Sequence, residues 1–161
     1  MMTAQLRSGS RVFHPSHGVV SVLGQENRDL GDRVQSFYVL GLSLGGKLLL
    51  PVDNLAQSGV RDLVSSDKAR QLLDAVGEGF TAEPALSTSA RAAAYSDGLA
   101  SGSADSYTEI LRELMHRARE KKLSPQDQRV LRAARRNFIA EIAAALDKPD
   151  AEIEATLDGL S

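Results

Sequence analysis

The chain has 161 residues, of which 42% are hydrophobic and 25% are charged, and its formal net charge is −2. This composition is typical of a folded globular protein and excludes disorder along the whole chain, while the negative net charge argues against a protein that holds DNA by overall electrostatic attraction. The absence of cysteine excludes disulfides and cysteine-ligated zinc sites. The sequence contains no apolar run of membrane-spanning length and no signal-peptide core near its N-terminus, so we expect a cytoplasmic protein.

The first half of the chain has the residue pattern of an antiparallel sheet. The predicted strands are residues 12–13, 19–23, 35–42 and 47–50. Residues 35–42 are largely apolar on both faces, which predicts a strand in the interior of the sheet. Gly45 and Gly46 supply the positive φ angles of a tight hairpin, and Pro51 ends the returning strand. We therefore predict a small β-barrel or a strongly bent antiparallel sheet.

The second half changes to helical periodicity, beginning with a helix capped by Ser65 or Ser66. The other predicted helices are residues 89–99, 105–121 and 125–146, with a short one after Pro149. Residues 124–127 combine an N-cap serine, a proline at the first helical position and an acid two residues later, which is a strong helix start. Residues 77–89 are predicted to form a loop. The helix that follows this loop is predicted to be interrupted by Gly98 and Gly102.

This pattern predicts an α+β protein with two domains. Residues 1–64 form the β-rich domain, and residues 65–161 form a compact all-helical domain. With no coiled-coil heptads in the sequence, we expect a monomer.

Several short motifs occur in a distinctive order. They are Phe13-His14-Pro15, His17-Gly18, Gln35-Ser36-Phe37-Tyr38-Val39-Leu40, Pro51, Ser58-Gly59-Val60-Arg61-Asp62, Ile110-Leu111-Arg112-Glu113-Leu114 and Leu123-Ser124. Together they resemble the CarD/CdnL family of bacterial RNA polymerase-binding transcription factors. The resemblance implies a Tudor-like N-terminal barrel that binds the polymerase β subunit. It also implies a helical domain that reaches the upstream edge of the promoter bubble, where a tryptophan enters the minor groove and hinders bubble collapse.

The resemblance places the polymerase contact on Val39, Leu49 and Pro51, with Asn27 and Arg28 in a loop beside them. Some family members carry arginine near the positions of Leu49 and Asn27. The contact in this chain is therefore expected to be more apolar, or weaker, and to combine main-chain hydrogen bonds with side chains that fill pockets. The alternative is that Val39 and Leu49 are only barrel core.

The DNA contact implied by the resemblance is changed in this chain. The family tryptophan falls on Thr88, and the basic residues that follow it fall on Ala90, Arg91 and Ala93, so only Arg91 keeps its charge. Threonine lacks the large flat surface that separates a base step, and the chain contains no tryptophan. We therefore predict weak or absent direct DNA binding.

A second candidate for DNA contact is the stripe formed by Arg129, Arg132 and Arg136 on one face of the long predicted helix. It lies within a basic segment, residues 112–136, that has nine Lys or Arg and three acids. The alternative interpretation is an ordinary solvated helix face.

Two other motifs do not predict a site. The segment Gly41 to Lys47 has the spacing of a phosphate-binding loop, but Leu48 replaces the magnesium-binding Ser or Thr and the lysine leads into a strand. His14 and His17 lack a third ligand at useful spacing, and Pro15 makes the segment a turn. We expect no metal or other cofactor.

Three functions remain after these exclusions. The first is a regulator that binds the RNA polymerase β subunit and modulates initiation. The second is a divergent CarD-like interaction module that no longer stabilises promoter complexes and binds another protein. The third, a small phosphate-binding enzyme, is disfavoured because no catalytic dyad or nucleophile elbow is present, and we predict that the protein is not an enzyme.

Overall fold

The computed structural model describes residues 6–78 and 88–160. The chain forms two compact units, Met1–Leu63 and Val64–Ser161. The first contains a five-stranded antiparallel sheet and the second is helical, which confirms the predicted α+β fold class.

The sheet contains β1 (Arg11–His14), β2 (Gly18–Asp29), β3 (Val34–Gly41), β4 (Lys47–Pro51) and β5 (Arg61–Asp62). The spatial order is β4-β3-β2-β1-β5, so β3 is an interior strand as predicted. The strands at the two ends of this order, β4 and β5, do not pair with each other within the described residues. The sheet is therefore open, not a closed barrel. A 3₁₀ turn (Val52–Asn54) and the short helix α1 (Leu55–Ser58) connect β4 to β5.

One face of the sheet carries the hydrophobic core of this unit. Alternate residues of a strand share a face, so Tyr38 and Leu40 on β3 project to the same side as Leu50 on β4. The buried residues of this core are Val12, Val20, Val22, Tyr38, Leu40, Leu50 and Leu55. The opposite face is the one that carries Val39 and Leu49.

Strand β2 is longer than the sequence predicts. It continues past Leu23 to Asp29, so Asn27 and Arg28 lie in the strand and not in a loop. Residues 24–29 are glycine and polar residues with no apolar alternation, and their strand conformation comes from pairing with β3, up to Asp29 opposite Val34. Tertiary pairing therefore overrides the weak local strand preference of this segment.

The turn between β1 and β2 is organised by a histidine. The Nδ1 atom of His14 accepts hydrogen bonds from the backbone N–H of Ser16 at 3.0 Å and of His17 at 3.3 Å. The two imidazole rings lie 4.7 Å apart. Burial lowers the pKa of His14 below its ordinary value of 6.5, and the neighbouring His17 lowers it further. The folded turn therefore requires the neutral imidazole.

This turn predicts a pH dependence of stability. Because the folded pKa of His14 is below the unfolded value of 6.5, the unfolded chain binds the proton more tightly, and the free energy of unfolding should fall as pH drops below about 6.5. Asparagine at position 14 can accept the same backbone N–H groups without titrating. We expect the melting temperature of His14→Asn to change less between pH 7.5 and 5.5 than that of the wild type. His17→Asn removes only the weaker of the two causes, so it should reduce the pH dependence less than His14→Asn does. An undiminished pH dependence in His14→Asn would contradict this assignment.

The helical unit contains α2 (Ser66–Gly77), α3 (Thr88–Ala100), α4 (Ala104–Glu120), α5 (Pro125–Leu146) and α6 (Asp150–Gly159). Helices α2, α4 and α5 begin after serine N-caps, which are Ser65, Ser103 and Ser124. At the start of α5, the Ser124 side chain accepts the backbone N–H of Asp127, as the sequence predicts. Residues 79–87, most of the predicted loop at 77–89, lie outside the described residues.

Helix α3 agrees with the predicted range of 89–99 to within one residue at each end, but Gly98 does not interrupt it. It continues to Ala100, and Gly102, with a φ of 71°, follows its end. A Cβ atom placed on Gly98 would lie 2.9 Å from Cδ1 of Ile110 on α4. This glycine therefore allows close packing of α3 on α4 and is not a helix terminator.

The core of the helical unit encloses a carboxylate. Glu141 on α5 is 0% exposed. The Tyr107 hydroxyl donates to its Oε1 at 2.6 Å, and the backbone N–H of Val64 donates to its Oε2 at 2.8 Å. The ring of Tyr107 also meets that of Phe138 edge to face. Glu141 therefore joins the first residue of this unit to α4 and α5 through one buried and one partly buried hydrogen bond.

Candidate functional site

Three of the predicted polymerase-contact residues lie together on one face of the sheet. Val39 is directly opposite Leu49, and Phe37 is directly opposite Pro51. Because alternate residues share a face, Val39, Leu49 and Pro51 form an apolar strip across β3 and β4. We call this the β3–β4 strip. Val39 is 9% exposed, whereas Leu49 and Pro51 are half-buried. The strip lies on the face opposite the hydrophobic core cluster.

Arg28 and Asn27 lie on different faces of the sheet. Arg28 is opposite Gln35, which shares a face with Val39, whereas Asn27 is opposite Ser36 on the core-bearing face. The Nε of Arg28 donates a hydrogen bond to the carboxylate of Glu26. The Ser36 hydroxyl donates to Oδ1 of Asn27 at 2.7 Å. Arg28 therefore lies on the same face as the β3–β4 strip, whereas Asn27 lies on the other face. The pairing of Arg28 with Glu26 was not predicted from the sequence.

Strand β4 offers an open edge beside this strip. The N–H of Leu42 donates to the carbonyl of Gly46 at 3.1 Å, which closes the hairpin. In an antiparallel ladder hydrogen-bonded pairs alternate with non-bonded ones, so Leu48 and Leu50 bond to β3 while the N–H groups of Lys47 and Leu49 point away from it. No described strand pairs with this outer edge of β4. The edge can therefore accept a further strand.

Arg91, the remaining basic residue near Thr88, is engaged within the helical unit. Its Nη2 lies 3.8 Å from Oδ2 of Asp127, and the two side chains are 20% and 14% exposed. Thr88 is the first residue of α3. The guanidinium of Arg91 is therefore held near the start of α5, which reduces its availability to a phosphate.

A second contact holds α3 against α4. The Tyr95 hydroxyl donates to Oε2 of Glu113, and Nε of Arg117 donates to the same oxygen at 2.9 Å. Burial raises the pKa of Tyr95, and its hydrogen bond to Glu113 raises it further. The hydrogen bond to Glu113 also raises the pKa of Arg117. This cluster keeps the tyrosine neutral and fixes the orientation of α3.

The arginine stripe of α5 is exposed to solvent. Arg129, Arg132 and Arg136 fall within an arc of about 60° on the helix surface. Arg129 donates to the side chain of Gln126 at 2.8 Å, and within residues 6–78 and 88–160 none of the three arginines forms an ion pair. Elsewhere in the basic segment acids neutralise the charge, as in Arg135 with Asp158 at 2.8 Å. The stripe and the exposed Lys121 and Lys122 carry most of the remaining positive charge.

The other motifs have the local structure that their residues predict. The segment Gly41 to Lys47 joins β3 to β4, so its lysine leads into a strand. Among the described residues, no group of three or more His, Asp or Glu side chains could hold a metal ion. No helix in the described part of the chain is both long and apolar enough to cross a membrane.

Two protein-family models match the chain, one in each of its two units. A model described as "CarD-like/TRCF RID domain" matches residues 6–64, and one described as "CarD, C-terminal domain" matches residues 71–158. The two matches define an RNA polymerase-interacting transcription factor in general terms, of a non-enzymatic class. The chain belongs to the CarD/CdnL family, which confirms the resemblance seen in its motifs.

Proposed function

We propose that this protein binds the β subunit of RNA polymerase through the β3–β4 strip and the open edge of β4, and thereby modulates transcription initiation. The observation that carries this proposal is the combination of outward N–H groups on β4 with apolar side chains beside them. A strand of the partner added to this edge would gain main-chain hydrogen bonds, and its alternate side chains would contact Leu49 on the adjacent strand β4. The protein acts as a monomer in the bacterial cytoplasm.

The strip makes this an apolar contact. Arg28 is paired with Glu26, and the other cation on this face, Lys47 at the start of β4, is exposed to solvent beside the strip. Exposed charge pairs contribute little to affinity and are screened by salt. Binding to the core polymerase of the same organism, measured by fluorescence anisotropy, should therefore be nearly equal at low and high salt. A steep loss of affinity with salt would contradict the apolar contact.

Direct contact with promoter DNA is weak in this proposal. The net charge is −2, Thr88 stands where the family carries tryptophan, and Arg91 is held beside Asp127. Any phosphate contacts inside the polymerase complex are made by the arginine stripe of α5, which is Arg129, Arg132 and Arg136. Tight, salt-sensitive binding of the isolated protein to an upstream-fork promoter fragment would overturn this part of the proposal.

Substitution of Thr88 tests the promoter role. In Thr88→Trp the new indole can enter a base step and stack on its bases, so we expect promoter open complexes to live about tenfold longer than with the wild type, a gain of about 1.4 kcal/mol. The measurement is the decay of open complexes after addition of a competitor, with Thr88→Ala as the control. No change in Thr88→Trp would favour the second candidate function, a CarD-like module that binds another protein. The engagement of Arg91 with Asp127 already points in that direction.

A further inference from the structure

Strand β2 contains an irregularity beside the β3–β4 strip. Val22 is opposite Leu40 and Gly24 is opposite Val39, so Leu23 is an extra residue in a β-bulge. Bulges change the direction of a side chain and are common beside functional sites.

The bulge places Leu23 on the same face as the strip. A Cβ atom on Gly41 would lie 3.3 Å from Cδ1 of Leu23 and 3.4 Å from its Cγ and Cδ2. Gly41 is two residues from Val39 and shares its face, so Leu23 lies over Gly41 and extends the apolar strip across β2. Any larger residue at position 41 would press on this leucine.

Leu23 is also the exposed member of the extended surface. Its side chain is 52% exposed, whereas Val39, which lies on the same face of the sheet, is 9% exposed. It sits on a paired strand and against a glycine, so its position is largely set before any partner binds, which lowers the entropy lost on association. A half-exposed leucine held in this way offers apolar area that a complementary recess on a partner would bury.

We propose that Leu23 is a specificity-determining contact for the polymerase β subunit, and this rests on the proposed function. The partner pairs one strand with the edge of β4, and a separate part of the β lobe that lies over this face presents an apolar recess to Leu23 on β2. Recognition of Leu23 is by shape and apolar area, because Arg28, the cation on the same strand and face, is paired with Glu26.

The test measures the affinity of the full-length protein for the isolated β lobe. Leu23→Ser should raise Kd about tenfold, as expected for the loss of a buried leucine side chain from an interface. Val34→Ser is the matched control, because Val34 is 67% exposed and lies on the opposite face of the sheet. Its Kd should equal that of the wild type. Gly41→Val, which displaces Leu23 without removing it, should also weaken binding.

The outcomes separate this inference from the proposed function. If the wild type binds and Leu23→Ser binds equally well, the role of Leu23 is wrong while the polymerase contact stands. Equal weakening by Leu23→Ser and Val34→Ser would also overturn it. If the wild type itself does not bind the lobe, the proposed function fails. Leu23→Thr, which retains strand preference, replaces Leu23→Ser if the melting temperature of the serine variant falls.

Discussion

Glu141→Ala should lower the free energy of unfolding of the helical unit by about 4 kcal/mol. The substitution removes a fully buried acceptor and leaves the Tyr107 hydroxyl and the Val64 N–H without it. Each buried donor that loses its partner costs roughly 1–3 kcal/mol, and the cavity left by the side chain adds to this. Urea unfolding followed by far-ultraviolet circular dichroism measures the change, since the helices provide most of that signal.

A matched acid on the surface provides the control for this prediction. Glu152 pairs with Lys148 at 2.9 Å, and its side chain is 52% exposed. Glu152→Ala should cost less than about 1 kcal/mol, because exposed ion pairs contribute little. Equal losses in Glu141→Ala and Glu152→Ala would show that the buried carboxylate does not stabilise the unit.

The second large effect is expected at the polymerase contact. Leu49→Asp should weaken binding to the isolated β lobe by roughly 30-fold or more, the effect of losing an interface hot spot. The carboxylate would have to lose water within an apolar contact without gaining a partner. Calorimetric titration of the lobe with the variant measures the change.

The control for Leu49→Asp lies in the same hairpin. Leu44 is 100% exposed at the tip between β3 and β4, so Leu44→Asp adds the same charge away from the strip. We expect it to bind like the wild type, and both variants to keep the wild-type melting temperature. A similar Kd for Leu49→Asp and the wild type would remove Leu49 from the interface.

Local chemistry predicted much of the fold. The hairpin at Gly45 and Gly46, the helix start at Ser124 and the interior position of β3 follow from φ preference, capping and apolar patterning, and the structure confirms them. The predictions failed where a distant segment decides the conformation. Residues 24–29 form strand because β3 pairs with them, and Gly98 lies inside α3 at a point where Ile110 of α4 leaves no room for a Cβ atom.

The candidate site could be predicted only in part. The family resemblance supplied Val39 and Leu49, and the structure places them on one face of β3 and β4. The bulge at Leu23 shifts the register of β2, and a bulge leaves no clear pattern in a single sequence. The partners of Arg91 and Glu141 lie 36 and 34 residues away in the chain, so their pairing follows from helix packing alone. The roles of the predicted contact residues stay predictions until binding is measured.

Titration of the purified protein against the isolated β lobe of the polymerase from its own organism tests the central claim most directly. The account predicts saturable binding at micromolar affinity or better that changes little with salt and is lost in Leu49→Asp. Absence of binding at high concentrations of the lobe would contradict it, and would assign the open edge of β4 to a different partner.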